Sequence, residues 1–141
     1  MIYSVFCDGG ARGNPGPAAI GFVVKDLQGQ IIYQAQDYIG KSTNNIAEYT
    51  AVIHSLVWLQ KFLSQTKPRP TQINFYLDSK LVVNQLNGYY KIKNAALREL
   101  IFKIRQLENQ LKTPIKYNFI NRQQNNIADN LVNLALDQAL H

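Results

Sequence analysis

Along the opening third of the chain, apolar residues cluster in short runs separated by turn-forming residues; further on they recur at every third or fourth position. Ile2 to Asp8, Ala18 to Lys25 and Gln30 to Tyr38 read as strands, with Asp26-Leu27-Gln28-Gly29 as the turn between the second and third. That pattern predicts an antiparallel meander. Gly40 to Asn45 breaks it. From about Asn45 to Phe62 the period becomes helical, carried by Ile46, Tyr49, Ile53, Leu56, Val57 and Leu63. Thr66 to Thr71 is a proline-bearing loop, and Gln72 to Leu77 alternates as a fourth strand. Asp78 is expected to cap a short helix ending near Leu86, closed by Gly88. The strongest amphipathic stripe follows, through Leu97, Leu100, Ile101, Ile104, Leu107 and Leu111, and Thr113-Pro114 stops it. Ile115 to Ile120 reads as the fifth strand. Asn126 to Leu140 reads as a last helix packing through Ile127, Leu131, Leu134 and Ala135. The order βββαβααβα predicts an α/β fold in three layers, a sheet with helices on both faces. With no repeat and no linker, residues 1–141 are expected to form a single domain.

Composition changes this picture in two ways. The net charge is +6 with only nine acids, a balance that favours polyanionic partners such as nucleic acid. Cys7 is the lone cysteine, which excludes a disulfide framework and thiolate metal sites. No apolar run is long enough to span a membrane and no leader precedes the first strand, so a cytoplasmic location and no membrane partner are expected. No heptad or unpaired apolar helix face asks for a partner, and a monomer is expected.

The candidate chemistry begins at Asp8, which ends the first strand and opens a loop (Gly9-Gly10-Ala11-Arg12-Gly13-Asn14-Pro15-Gly16) whose bare backbone can approach a large charged ligand. Three further acids have comparable settings. Glu48 stands three residues after Asn45, Asp78 follows a strand, and Asp129 lies three residues after Asn126. Taken singly, each has an ordinary explanation: a turn aspartate, a capping-box glutamate, an N-cap, a helix-dipole partner. Together they occupy strand ends and helix starts, the places where open α/β sheets form sites. Two carboxylates about 4 Å apart repel by about 4 kcal/mol at an effective dielectric near 20, so such a cluster calls for cations. Oxygen-only ligation points to Mg²⁺ or Mn²⁺, and two such ions form the clamp used in phosphodiester cleavage.

The motifs DGGARGNPGPAAIG (8–21), TNNIAEYTAVIHSL (43–56), LDSKLVVNQLNG (77–88) and NRQQNNIADNLVNLAL (121–136) resemble those of the type 1 ribonuclease H family, in order and spacing, over nearly the whole chain. The resemblance implies a five-stranded mixed sheet, the first three strands antiparallel and the fourth and fifth parallel to the first. It implies hydrolysis of the RNA strand of RNA–DNA hybrids, leaving 5′-phosphate and 3′-hydroxyl ends, with Asp8, Glu48, Asp78 and Asp129 holding two ions. By the same motifs, Asn14, Asn44 and Asn45 match contacts to the minor groove and ribose 2′-hydroxyls, the group that distinguishes RNA from DNA. Lys41 and Thr43 match a phosphate pocket for the DNA strand. Asn84 matches a substrate-contacting amide, and Gly9, Gly10 and Arg12 belong to the substrate-facing loop.

The chain departs from many members in two respects. Neither His54 nor His141 occupies the position of the flexible histidine before the last helix, and Phe119 fills one candidate position. Arg122 stands seven residues before Asp129, as in a subgroup with an arginine there. The lysine-rich basic handle is absent, leaving Tyr89, Tyr90, Lys91 and Lys93 as a reduced substitute. Two rival readings stay open: a silent nucleic-acid-binding module that keeps the fold, and another nuclease of the same superfold. A proofreading exonuclease would carry an acid two residues after the first, where this chain has Gly10.

Overall fold

The computed structural model describes all of residues 1–141. Its strands are β1 (Ile2–Ala11), β2 (Gly16–Lys25), β3 (Ile31–Ser42), β4 (Gln72–Leu77) and β5 (Ile115–Phe119). Its helices are α1 (Asn44–Ser64), α2 (Lys80–Leu86), α3 (Ala95–Leu111) and α4 (Asn126–Ala139), with a 3-10 turn at Arg122–Asn125 leading into α4. The expected order of elements holds throughout. The sheet runs β3-β2-β1-β4-β5. β1–β2 and β2–β3 are antiparallel, while β1–β4 and β4–β5 are parallel.

Burial follows position in the sandwich. β1 alternates buried and half-buried residues because α1 covers one of its faces more completely than α4 covers the other. β2 is buried almost end to end, as its apolar run AAIGFVVK requires, since helices lie on both faces. The main core joins Tyr3, Val5 and Cys7 of β1 and Phe75 of β4 to α1, α2 and α3. A smaller one joins Ala19 of β2 to Val132, Ala135 and Leu136 of α4. No helix is long and apolar enough to cross a membrane.

Several local expectations are corrected. β1 and β3 run further than their apolar patterns, because antiparallel pairing with β2 carries the ladder to Ala11 and Ser42 and across the expected break at Gly40. α2 is capped by Ser79, whose hydroxyl accepts from Val82 N–H, and not by Asp78. α1 is capped by Thr43, whose hydroxyl accepts from Ile46 N–H, so Glu48 is no capping-box partner of Asn45. On α4 the buried stripe is Ala128, Leu131, Val132, Ala135 and Leu136, while Leu134 is 49% exposed. Apolarity alone cannot distinguish the two sides of a helix this rich in leucine.

Candidate active site

Four elements deliver four carboxylates to one cleft. Asp8 lies near the C-terminal end of β1, where the parallel β1–β4 register reaches the Phe6–Tyr76 rung two residues earlier. Asp78 follows directly on Leu77, the last residue of β4, so the two acids end neighbouring strands. Glu48 enters from the second turn of α1 and Asp129 from the first turn of α4. All four line one cleft of about 270 Å³, with Gly9, Gly10, Arg12, Asn44, Arg122 and Asn133 among its other walls.

The packing that brings Glu48 there is visible at Gly9. A Cβ at this position would stand 2.3 Å from the carbonyl carbon of Ala47 and 2.5 Å from the nitrogen of Glu48. Strand and helix therefore touch backbone to backbone, and only glycine permits it. Gly9 is thus a packing residue as well as a cleft residue. Gly10 differs: nothing but the Asn44 side chain and Val132 comes within 4 Å of its hypothetical Cβ, which leaves the space beside its Cα clear.

The negative charges in the cleft act on Asp8 and Glu48. Burial pushes the Asp8 carboxyl up to about 8, reinforced by the charges of Asp78, Glu48 and Asp129. Glu48 is also pushed up to about 8, by burial and then by Asp78, while the Arg122 guanidinium pulls in the opposite direction. None of the four forms a salt bridge; the two in the protein are Arg12–Asp137 and Arg105–Glu108. No three of the carboxylates converge closely enough to enclose a single ion as they stand. The four acids do share one crevice, as their places at strand ends and helix starts led us to expect. This donor set still suits Mg²⁺, which keeps several waters and is held by one or two carboxylates together with substrate phosphates.

The other assigned residues divide into two groups. Asn44 faces the cleft and its Oδ1 accepts from Ala11 N–H at 2.8 Å, while the Asn14 Oδ1 accepts from Asn44 N–H at 3.0 Å. These bonds fasten the glycine loop to the start of α1. Arg12 is held at the rim by Asp137 of α4, at 2.6 Å. Arg122 opens the 3-10 turn and reaches the cleft wall. Asn14, Lys41, Thr43, Asn45 and Asn84 do not line this cleft. Lys41 projects, exposed, from the end of β3 opposite Pro17, and Thr43 is the cap of α1. Tyr89 and Tyr90 are 74% and 53% exposed, so the loop before α3 is not built on packed tyrosines. Two residues escaped the sequence reading. Asn133 follows Asp129 by one helical turn, a spacing that could have revealed it. Asn125, buried beside Asp78, gave no sequence signal.

Fold and site together define the chain as a member of the reverse transcriptase-like family, which matches residues 6–135, and within it of type 1 ribonuclease H. Among solved structures it is similar to LC11-RNase H1, determined in complex with an RNA/DNA hybrid, at 40% identity and TM-score 0.93 over 99% of both chains. It is similar to RNase H1 from the halophilic archaeon Halobacterium salinarum NRC-1 at 35% identity and TM-score 0.88, covering 98% of this chain and 99% of that one. A bifunctional protein of Mycobacterium tuberculosis is 38% identical over 99% of this chain, which spans only 36% of that protein's length.

Proposed function

We propose that this chain is a metal-dependent endoribonuclease that hydrolyses the RNA strand of RNA–DNA hybrids, leaving 5′-phosphate and 3′-hydroxyl ends. The observation carrying this reading is the single cleft into which β1, α1, β4 and α4 each place a carboxylate, on a chain of net charge +6. The hybrid bound to LC11-RNase H1, at TM-score 0.93, supports the substrate class.

In this reading Asp8, Glu48, Asp78 and Asp129 hold two divalent ions, Mg²⁺ or Mn²⁺. When bound, the ions supply an activated water and charge stabilisation at the leaving 3′ oxygen. The protein's own part is placement. The clear space beside the Cα of Gly10 leaves room for the scissile phosphate to approach the carboxylates. Asn44, with Asn14 and Asn45 beside it, presents amides to the minor groove, where ribose 2′-hydroxyls identify the RNA strand. Arg12 and Arg122 supply cations at the cleft rim, Lys41 and Thr43 take a phosphate of the DNA strand, and Asn84 contacts the substrate from α2. With no basic handle, Tyr89, Tyr90, Lys91 and Lys93 offer only limited extra stacking and charge. The domain acts as a monomer in a reducing cytoplasm, where an unpaired Cys7 persists.

The test is a labelled hybrid incubated with Mg²⁺ or Mn²⁺, beside all-DNA and all-RNA duplexes. Internal cuts in the RNA strand that vanish in Asp8→Asn are the expected result. Undiminished cleavage by Asp8→Asn overturns the ligand assignment. Cuts confined to strand ends favour an exonuclease, and hybrid binding without cleavage under any divalent metal favours a silent module.

A further inference from the structure

Asn125 stands where the 3-10 turn passes into α4, in the position that caps the helix, yet its side chain makes no capping bond. It is 1% exposed. Its Nδ2 donates to the Cys7 carbonyl at 2.8 Å and to Asp78 Oδ2 at 3.4 Å. Its Oδ1 has no hydrogen-bond partner within the protein. Those two neighbours are both acceptors, which fixes the orientation of the amide, since a flipped Asn125 would set its own oxygen against two others. Forgoing a cap and burying an unpaired acceptor both reduce stability, so the two donor bonds have to supply something in return.

What they supply is alignment. The Cys7 carbonyl belongs to the peptide that leads into Asp8, Asp78 is held directly, and Asp129 lies one turn along the helix that Asn125 begins. One amide therefore ties together three of the four chain segments that carry the carboxylates. We infer that Asn125 is a positioning residue: it binds one oxygen of Asp78 so that the other faces the cleft, and it fixes the start of α4 against the end of β1. This inference rests on the reading of the four carboxylates as cation ligands, and it concerns their preorganisation rather than contact with substrate.

Outer partners of metal ligands typically change metal affinity or activity by about 10–100-fold when removed. The experiment is a calorimetric Mn²⁺ titration of the whole protein and of Asn125→Ala, without substrate, followed by hybrid cleavage at fixed metal. We expect the variant's Mn²⁺ dissociation constant to rise roughly tenfold or more, with kcat falling and KM for hybrid staying within about twofold. Unchanged Mn²⁺ affinity and kcat in a folded variant overturn the inference. A second measurement needs no variant: the Asn125 side-chain amide signal of the wild-type protein, followed by NMR, should move as Mg²⁺ is added. A stationary signal in a protein that does bind Mg²⁺ overturns the role of Asn125 alone. A wild-type protein that takes up no divalent cation overturns both this inference and the enzyme reading.

Discussion

Asp8 and Glu48 are the residues on which the chemistry places most strain. Both carboxyls are pushed up to about 8, first by burial and then by neighbouring negative charge. An acid whose folded value exceeds its unfolded one stabilises the fold fully below the unfolded value, near pH 4. That contribution is lost as the pH rises through about 8. The metal-free protein is therefore expected to lose stability across this window relative to Asp8→Asn. By pH 8 the variant should be the more stable, by an amount on the order of a few kcal/mol. Thermal melts in chelator read this directly, and saturating Mg²⁺ at pH 8 should restore the wild type, since a ligand of the native state stabilises it by mass action. A gap between the two proteins that does not vary with pH contradicts mutual repulsion at the site.

At the scale of elements, the site depends on close packing more than on the loops around it. α1 approaches β1 across the bare Cα of Gly9, and α4 approaches β2 across Gly21, whose hypothetical Cβ would lie 2.7 Å from the Ala128 carbonyl oxygen. The caps have a matching division of labour. Because Ser79 and Thr43 cap α2 and α1, Asp78 and Glu48 are released from backbone hydrogen bonding and kept for the cleft. Gly9→Ala forces a methyl into the Ala47–Glu48 backbone and is expected to cost about 1–3 kcal/mol or more by overpacking. Glu48 should be displaced with it, so cleavage should fall beyond what the loss of folded protein explains. Denaturant unfolding together with cleavage per folded molecule measures both effects.

For the whole molecule, charge separation is the organising property. The chain carries fifteen Lys and Arg residues, and its one carboxylate-lined cleft holds four of only nine acids together with Arg12 and Arg122. On the proposed function, that balance attracts a polyanion and calls for cations between it and the cleft. On that reading, few cationic phosphate contacts are expected. Three of them, at Arg12, Lys41 and Arg122, give a salt slope of about −2.7, or about a 40-fold loss of hybrid affinity between 50 and 200 mM salt. A filter-binding or anisotropy series in Ca²⁺ checks this value. A slope near −6 or steeper would reveal phosphate contacts beyond these residues, with the loop bearing Tyr89, Tyr90, Lys91 and Lys93 as the nearest source.

Order and type of every helix and strand were legible along the chain, because period-two and period-3.6 patterns each record one buried face. That four acids would share one cleft was legible too, since carboxylates placed at strand ends and helix starts stand out against so few acids overall. Other features depended on contacts between distant segments. Which residue caps α1 or α2, how far β1 and β3 extend, and which side of α4 turns inward are all set by neighbours that local pattern does not encode. Asn125 is the clearest case, an amide unremarkable among the asparagines and glutamines of its stretch. It acquires a role only because folding carries the Cys7 carbonyl and Asp78 to within hydrogen-bonding distance of it.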